Sequence, residues 1–317
     1  MEYSFITVAI FSIILFIYLH VFFNLKTSNE LELYEIEPPS KDKLHEICDL
    51  KQPVMFKFDN EHLNSNLALD VLNTSYGSFD VNVREMNDTE DELYVQLPYN
   101  IASKLFETEK EKKFYLENNY EFLKESRLLK HFQSVDELLR PVMVSECNYD
   151  ILKGTNEANT CLKYSLDNRT FFYVCEGNMK VKLIPPIYSK YLHTENDYIN
   201  FEFRSKINPW AVDKCYQIDY NKSHSFDVNV SKGQILFIPN YWWYSIQMTD
   251  KSNILKFSYK TYMNTVSILP QLALSFLQQS NVKRTENKSS EKIISLTEKI
   301  DISNNTINSD NDLDAVD

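Results

Sequence analysis

Histidines and cysteines, the residues that most often hold metals or act as nucleophiles, do not cluster in this sequence. The chain of 317 residues has six histidines and five cysteines. The cysteine number is odd and no pair has the C-x-x-C spacing, so neither a zinc site nor a dense disulfide framework is expected, although one or two bridges stay open. Only four glycines are present, and none belongs to a GxGxxG or Walker pattern, which excludes a glycine-rich phosphate loop. The histidines are His20, His45, His62, His131, His193 and His224, and the cysteines are Cys48, Cys147, Cys161, Cys175 and Cys215.

The most informative stretch is residues 233–248, GQILFIPNYWWYSIQM. It opens with a glycine, continues through an apolar run at 235–238, and turns at Pro239 into a cluster of aromatic residues. A short apolar run bounded by glycine and proline is typical of a buried strand. Two of the three tryptophans of the chain, Trp242 and Trp243, stand side by side directly before Tyr244. From pattern alone, the stretch predicts a core strand followed by aromatic packing.

A second informative block covers residues 161–186, CLKYSLDNRTFFYVCEGNMKVKLIPP. Phe172 and Val174 alternate onto one face of a strand, and a turn follows at Gly177. In residues 179–183 apolar side chains alternate with lysines, and two prolines end the run. The block therefore predicts a β-hairpin with one apolar face.

Together these two blocks resemble the cupin-like family related to JmjC domains, which includes the 2-oxoglutarate- and Fe(II)-dependent asparaginyl hydroxylase group. The resemblance covers roughly residues 50–262 and rests on FF-x(3)-EG, IPP and ILFIP-x-x-WW. It implies a mainly β fold with flanking helices, namely a double-stranded β-helix (cupin or jelly-roll) barrel.

The resemblance also implies an iron site made of two histidines and one carboxylate. In this chain the histidine positions fall on Tyr164 and Tyr244, and the aspartate position falls on Leu166. The lysine that would bind 2-oxoglutarate falls on Met179, and an asparagine before the Phe pair falls on Thr170. A tyrosine with a pKa of about 10 is a poor iron ligand near neutral pH, and leucine cannot ligate. We therefore expect degenerate pocket positions, with no catalytic residue, no metal and no cofactor.

Three hypotheses follow for the function. The first is an inactive relative of the hydroxylases that acts as a binding or structural module, with a protein partner. The second is a working protein hydroxylase with Fe(II), 2-oxoglutarate and an atypical metal site, for which a bulge would have to bring Asp167 inward. A matching one-residue shift of the 2-oxoglutarate lysine position, from Met179 to Lys180, is not expected. Lys180 alternates with Lys182 and so lies on an outer face. The third is a structural membrane protein, for instance of a viral envelope.

The N-terminal segment predicts a membrane anchor, so the membrane itself is an expected partner of the protein. Residues 3–23 carry no formal charge, and about 20 apolar residues span a bilayer as a helix. A cleaved signal peptide is the alternative, but the segment lacks a basic start and a small-residue cleavage site. Glu2 before the helix and Lys26 after it favour a cytosolic soluble domain. The net charge of −12 argues against nucleic acid as a partner.

The expected organisation has four parts. Residues 1–25 are the transmembrane anchor, 26–40 a polar linker, 41–280 the cupin-like domain, and 281–317 a disordered acidic tail. Within the domain, the pattern predicts helix over 102–139, a turn-rich loop over 148–159, a strand over 216–220 and a helix over 265–279.

Overall fold

The computed structural model describes residues 2–86, 94–109, 111–249 and 252–281. The helices are α1 (Glu2–Leu25), α2 (Lys41–Cys48), α3 (Glu61–Asn66), α4 (Leu69–Tyr76), α5 (Tyr99–Thr108), α6 (Tyr120–Glu125), α7 (Leu129–Leu139), α8 (Gln217–Tyr220), α9 (Tyr262–Ser267) and α10 (Leu269–Asn281), with a 3₁₀ helix at Pro186–Tyr191. The strands are β1 (Tyr34–Ile36), β2 (Val54–Lys57), β3 (Asp80–Glu85), β4 (Val95–Pro98), β5 (Phe114–Leu116), β6 (Val144–Leu152), β7 (Lys163–Tyr164), β8 (Arg169–Glu176), β9 (Asn178–Ile184), β10 (Thr194–Asp197), β11 (Glu202–Ser205), β12 (Phe226–Ser231), β13 (Gln234–Pro239), β14 (Trp243–Met248) and β15 (Asn253–Thr261).

Two six-stranded sheets make up the body of the protein. The first sheet has the order β1-β2-β13-β8-β15-β6, and the second has the order β10-β11-β7-β14-β9-β12. A third, smaller sheet has the order β4-β3-β5. Within the described strands, β1 and β2 pair in parallel and the other pairs are antiparallel. The expectation of a mainly β fold with flanking helices is confirmed.

Strand alternation divides the apolar residues between two cores. Phe172 and Val174 of β8 face the second sheet, where they meet Val181 of β9 and Ile246 of β14. Phe171, their neighbour, points to the opposite side of the first sheet, into a core shared with the flanking helices and the third sheet. The first sheet is therefore buried on both faces, which explains the almost unbroken aromatic and β-branched run of β8. Fully burying each such side chain contributes about 1.5–3 kcal/mol.

The edges of the two large sheets are not joined to each other. No strand pairing between the described residues connects the first sheet with the second. The sheets thus form a sandwich with a common interior.

The structure corrects four local expectations. Residues 34–36 lie in the expected linker but pair with β2 as strand β1. The helical stretch is interrupted by β5, whose three residues are all buried and pair with β3. The expected loop over 148–159 begins as strand, because β6 continues to Leu152 in its pairing with β15. Residues 217–220 form the short helix α8 instead of a strand. The predicted tail over 282–317 lies outside the described residues.

Helix α1 is long and apolar enough to span a membrane. Residues 5–25 have a mean hydropathy of 2.5. The 18-residue stretch within them that is apolar enough to span a membrane has no residue buried inside the protein. Its C-terminal end touches the domain, because the carbonyl of buried Asn24 accepts a hydrogen bond from the side-chain amide of Asn240 at 2.9 Å. Helix α9 also contacts α1.

All five cysteines are unpaired in the described structure. Cys48 and Cys175 are buried, and burial raises the pKa of the Cys48 thiol to about 12. A disulfide bridge, which the sequence left open, is not formed here.

Candidate functional site

Strand pairing decides which of the predicted pocket residues face the interior between the two large sheets. In the pairing of β14 with β7, Trp243 stands opposite Tyr164, and Tyr244 stands opposite Lys163. Residues that lie opposite each other share a face, and successive residues alternate. Tyr244 belongs to the inter-sheet core while Trp243 lies in a separate outer cluster. Lys163 therefore faces inward beside Tyr244, and Tyr164 faces outward.

Three of the predicted pocket positions face this interior. The ring of Tyr244 packs against that of Phe172, with centroids 5.5 Å apart. Met179 is fully buried on β9, opposite Met248. Thr170 lies on β8 on the same face as Phe172 and is 1% exposed. These three replace the second histidine, the lysine and the asparagine of the implied iron site.

The other two predicted positions lie outside this interior. Tyr164 is half-buried and packs against Trp243 and Phe203, with ring centroids at 4.7 and 5.3 Å. Leu166 is buried in a small outer cluster with Phe203 and Ile268. The five predicted positions therefore do not share one site. On β7 the residue that faces the interior is Lys163, whereas the family resemblance implied Tyr164.

The interior also holds a group of charged residues that the sequence reasoning missed. We call this group the interior charge cluster: Arg84, Glu117, Asp150, Lys163, Glu202 and Lys256. Arg84 Nη1 lies 3.2 Å from a carboxylate oxygen of both Glu117 and Glu202. The second oxygen of Glu117 contacts the ammonium of Lys163. These residues come from five strands and from the residue after β5, all far apart in the sequence, so no spacing pattern could have revealed them.

Burial and pairing act against each other in this cluster. Desolvation raises the pKa of the buried Glu117 carboxyl, but the positive charges of Lys163 and Arg84 outweigh it and lower the pKa to about 2. Desolvation likewise lowers the pKa of Lys163, but Glu117 outweighs it and holds the pKa well above its ordinary value. Both groups are therefore ionised at neutral pH and form a buried ion pair.

A second cation, half-buried Lys256 of β15, stands on the same face of the first sheet as Thr170 and Phe172. Tyr244 and Asp150 interact electrostatically with it. The Asp150 carboxylate accepts three backbone N–H bonds at 2.8 Å, from Asn118, Asn119 and Ile151. Desolvation raises the pKa of Asp150, and it also raises the pKa of the Tyr244 phenol, which stays neutral near pH 7.

The side chains around Tyr244 do not fit Fe(II). The charged groups nearest its phenol include Lys256 and Lys163, whose protonated amines have no lone pair to give a metal ion. The interior polar atoms that lack a hydrogen-bond partner within the described residues include the hydroxyls of Thr170 and Ser258, which are neutral oxygens. No group of three or more histidine, cysteine or acidic side chains within the described ranges could hold a metal ion. The donor set required for non-haem iron is therefore not assembled here.

Asp167 and Lys180 would replace Leu166 and Met179 if the motif were shifted by one residue, and the two side chains lie in different places. Asp167 accepts a hydrogen bond from Ser165 Oγ at 2.8 Å, and its other oxygen lies 3.9 Å from Lys260 Nζ. It is near enough to Tyr244 and Lys256 to interact with both electrostatically. Lys180 is exposed on β9 opposite Gln247, so it lies on the outer face as the alternation predicted.

The six histidines lie away from this interior, each with its own neighbours. His45 contacts Arg169 at 2.7 Å, and desolvation followed by the Arg169 charge lowers its pKa. His62 and His131 pack against each other, and His193 lies 3.0 Å from Asp219. His224 packs on Tyr188 and His20 packs on Phe16 within α1.

A cavity of about 350 Å³ lies on the outer side of the second sheet, beside the end of α1. We call it the lateral cavity. Its walls include the rings of Tyr164, Tyr241 and Trp243, together with Leu25 of α1 and Gln271 of α10. The Tyr241 hydroxyl and the Gln271 side-chain carbonyl are buried, and neither has a hydrogen-bond partner within the described residues. The lateral cavity therefore offers aromatic surface together with unsatisfied polar atoms, a combination typical of small-ligand sites.

The fold and these motifs agree with comparison against known families. The model of the cupin-like domain family matches residues 29–261, and the chain therefore belongs to the cupin-like domain family. The matched region includes both large sheets and begins before the expected start of the domain at residue 41. A search of curated proteins finds no match to this chain.

Proposed function

We propose that this protein is a membrane-anchored cupin-like module that binds a partner protein or a small ligand and has lost the iron-dependent hydroxylase chemistry. The observation that carries the proposal is the ammonium of Lys163, which is ion-paired to Glu117 beside Tyr244. The inward position on β7 is thus held by a protonated amine, which has no lone pair to give a metal ion. The degenerate pocket positions support the same conclusion, because Met179 and Tyr244 are packed as core residues.

The double-stranded β-helix barrel belongs to this proposal as well. The two sheets share one apolar interior. Within each sheet, most neighbouring strands come from distant parts of the sequence, as in a jelly roll. A scaffold of this kind holds its interior fixed and leaves its outer surfaces free for binding. The lateral cavity, with its unpaired polar atoms, is the part of that surface that best suits a ligand.

The proposed location is a membrane, with helix α1 as a single-pass anchor and the domain in the cytosol. The length, apolar character and exposure of α1 support the anchor. The five unpaired cysteines support a reducing compartment for the domain.

The test is the turnover of 2-oxoglutarate by the full-length protein in mild detergent, with Fe(II) and ascorbate. We expect no succinate above the level of a reaction without protein, because the site lacks both the metal ligands and the cosubstrate lysine. The competing hypothesis, an oxygenase that uses Asp167, requires succinate formation that Asp167→Asn abolishes and that Asp227→Asn, a change at an exposed strand residue, leaves intact. That pattern would refute the loss of activity.

A further inference from the structure

Helices α9 and α10 carry an apolar surface that the described part of the chain leaves uncovered. We call it the α9–α10 face. Six large apolar side chains point outward from these two helices in the described structure, with exposures between 43% and 73%: Tyr262, Val266, Leu269, Leu274, Phe276 and Leu277. Contiguous exposed apolar patches of this kind mark interaction surfaces in soluble domains.

The helices that carry this face are held firmly against the domain. Ile268 is fully buried in a cluster with Leu166, and Leu272 packs against the same cluster. Asn264 donates from its side-chain amide to the carbonyl of Leu166 at 3.1 Å. Gln279 donates to the carbonyl of Ile199 at 3.2 Å. Helices α9 and α10 are therefore packed in place through their other side, and the outward apolar side chains are exposed in the folded domain.

The same segment is free of charge. Residues 261–281 contain no Asp, Glu, Lys or Arg, although 25% of the residues of the chain are charged. Its polar residues are uncharged asparagine, serine, threonine and glutamine, which tolerate the boundary between headgroups and acyl chains better than charged side chains do. An exposed surface in an aqueous environment has no reason to exclude charge over this length.

The α9–α10 face is continuous with the apolar helix α1. Helix α9 contacts α1, whose last two turns hold half-buried His20 and Val21 and buried Asn24. The lateral cavity is lined jointly by Leu25 of α1 and Gln271 of α10. The place where α1 would leave the bilayer is therefore also the place where α9 and α10 begin.

From these observations we infer that the α9–α10 face is a second membrane contact, which lies in the bilayer interface beside α1 and fixes the orientation of the domain on the membrane. The occupant of this face is the lipid of the membrane that α1 enters. Since the face has no cation, it needs no anionic lipid. The inference rests on the proposed anchor, and it adds a fixed posture in which the lateral cavity opens at the membrane surface.

Photocrosslinking of the full-length protein in phosphatidylcholine vesicles tests this contact. Benzoylphenylalanine is incorporated in separate variants at Phe276 in the α9–α10 face, at Ile218 of α8 and at Phe11 of α1. Phe276 and Ile218 are matched controls, since their exposures are 73% and 74%. We expect Phe276→benzoylphenylalanine to give lipid adducts at a yield at least about tenfold above that of Ile218→benzoylphenylalanine, and close to that of the Phe11 variant.

Each other outcome overturns the inference in a recognisable way. Lipid adducts at Phe11 combined with equal, low yields at Phe276 and Ile218 would leave the anchor standing and remove the second contact. A covalent dimer formed through the Phe276 variant would assign the α9–α10 face to a second copy of the chain. An absence of lipid adducts at Phe11 would remove the anchor, and this inference with it.

Discussion

Lys163 is the single residue on which the account of the interior depends most. Its ammonium pairs with Glu117, which is 3% exposed and shares Arg84 with Glu202. Without Lys163, the buried carboxylates of Glu117 and Glu202 share the single charge of Arg84, and a buried charge that loses a partner is costly. We expect Lys163→Met to lower the free energy of unfolding by about 3–5 kcal/mol, measured by urea denaturation of the full chain in detergent and followed by the fluorescence of buried Trp242 and Trp243.

The control for this prediction is Lys180→Met, a change at an exposed lysine on β9. It should alter stability by less than about 0.5 kcal/mol. The double variant Lys163→Met with Glu117→Gln should regain at least about half of the loss, because a buried pair replaced by neutral groups no longer leaves an unpaired charge. A double variant as unstable as the single one would mean that Lys163 contributes by packing alone.

Lys153, in contrast, is a buried lysine that forms no ion pair with a carboxylate among the described residues. Its ammonium donates to Ser103 Oγ at 2.9 Å and lies over the rings of Tyr99 and Phe106. Desolvation lowers its pKa from 10.5 to about 8. A lysine with a lowered pKa in the folded state destabilises the protein below pH 8, and this penalty disappears as the pH rises from 8 to 10.5.

We therefore expect the stability of Lys153→Met relative to the unmodified protein to fall by about 3 kcal/mol between pH 7.5 and 10.5, because only the unmodified protein loses a penalty over that window. Urea denaturation at a series of pH values measures this difference. Lys104→Met, at an exposed lysine of α5, should show no such trend. A constant difference between the Lys153 variant and the unmodified protein would show that Lys153 has no lowered pKa.

At the residue scale, the period of two along β8, β9 and β14 places Thr170, Met179 and Tyr244 on the interior face. The sequence offers no such alternation for Tyr164, because β7 has only two residues. The charge partners of Lys163 could not be found either, since Glu117 and Arg84 reach the interior through the third sheet. Buried ion pairs between distant strands leave no local pattern.

At the scale of the elements, the close approach of β5 to the end of β6 fixes the third sheet to the sandwich. Tyr115 forms an isolated bridge with Gly154, just beyond β6. A Cβ atom at Gly154 would lie 2.7 Å from the carbonyl oxygen of Phe114 and 2.9 Å from Met248 Sδ. The backbone oxygen cannot move without breaking its hydrogen bond from Thr155, which is 2.9 Å long.

We expect Gly154→Ala to cost about 1–3 kcal/mol of stability, as overpacked sites do, with the loss read as a lower urea midpoint. The control is Asn156→Ala, an exposed position two residues further along, which should change the free energy of unfolding by less than about 0.5 kcal/mol. An unchanged midpoint for the glycine variant would contradict the close packing of β5 against this loop.

The elements that the sequence predicted best are those with long regular patterns or strong punctuation. Strand β13 and the hairpin of β8 and β9 have both, and the turn at Gly177 has a positive φ of 71°. Strand β5 was missed because three apolar residues inside a charged, helix-like stretch give too short a signal to separate strand from helix. The strand predicted over 216–220 is wrong, because residues 217–220 lie outside the sheets and close a helical turn.

At the scale of the whole molecule, the fold is that of the cupin-like family, while its interior is arranged as a closed core. The family match covers residues 29–261, and the two helices that follow carry the uncharged apolar face beside α1. The interior charge cluster includes side chains on the facing surfaces of the two large sheets. The lateral cavity and the α9–α10 face lie beside the C-terminal end of α1. A protein organised in this way is suited to hold a binding surface close to a membrane.

The measurement that tests this account most directly is the iron content of the full-length protein, purified in detergent and incubated anaerobically with Fe(II) before removal of free metal. Because Tyr164 and Leu166 lie outside the interior and the protonated amines of Lys163 and Lys256 cannot ligate, we predict less than about 0.1 iron per chain by elemental mass spectrometry. Close to one iron per chain, lost in the Asp167→Asn variant, would contradict the central claim and would place a working metal site in this interior.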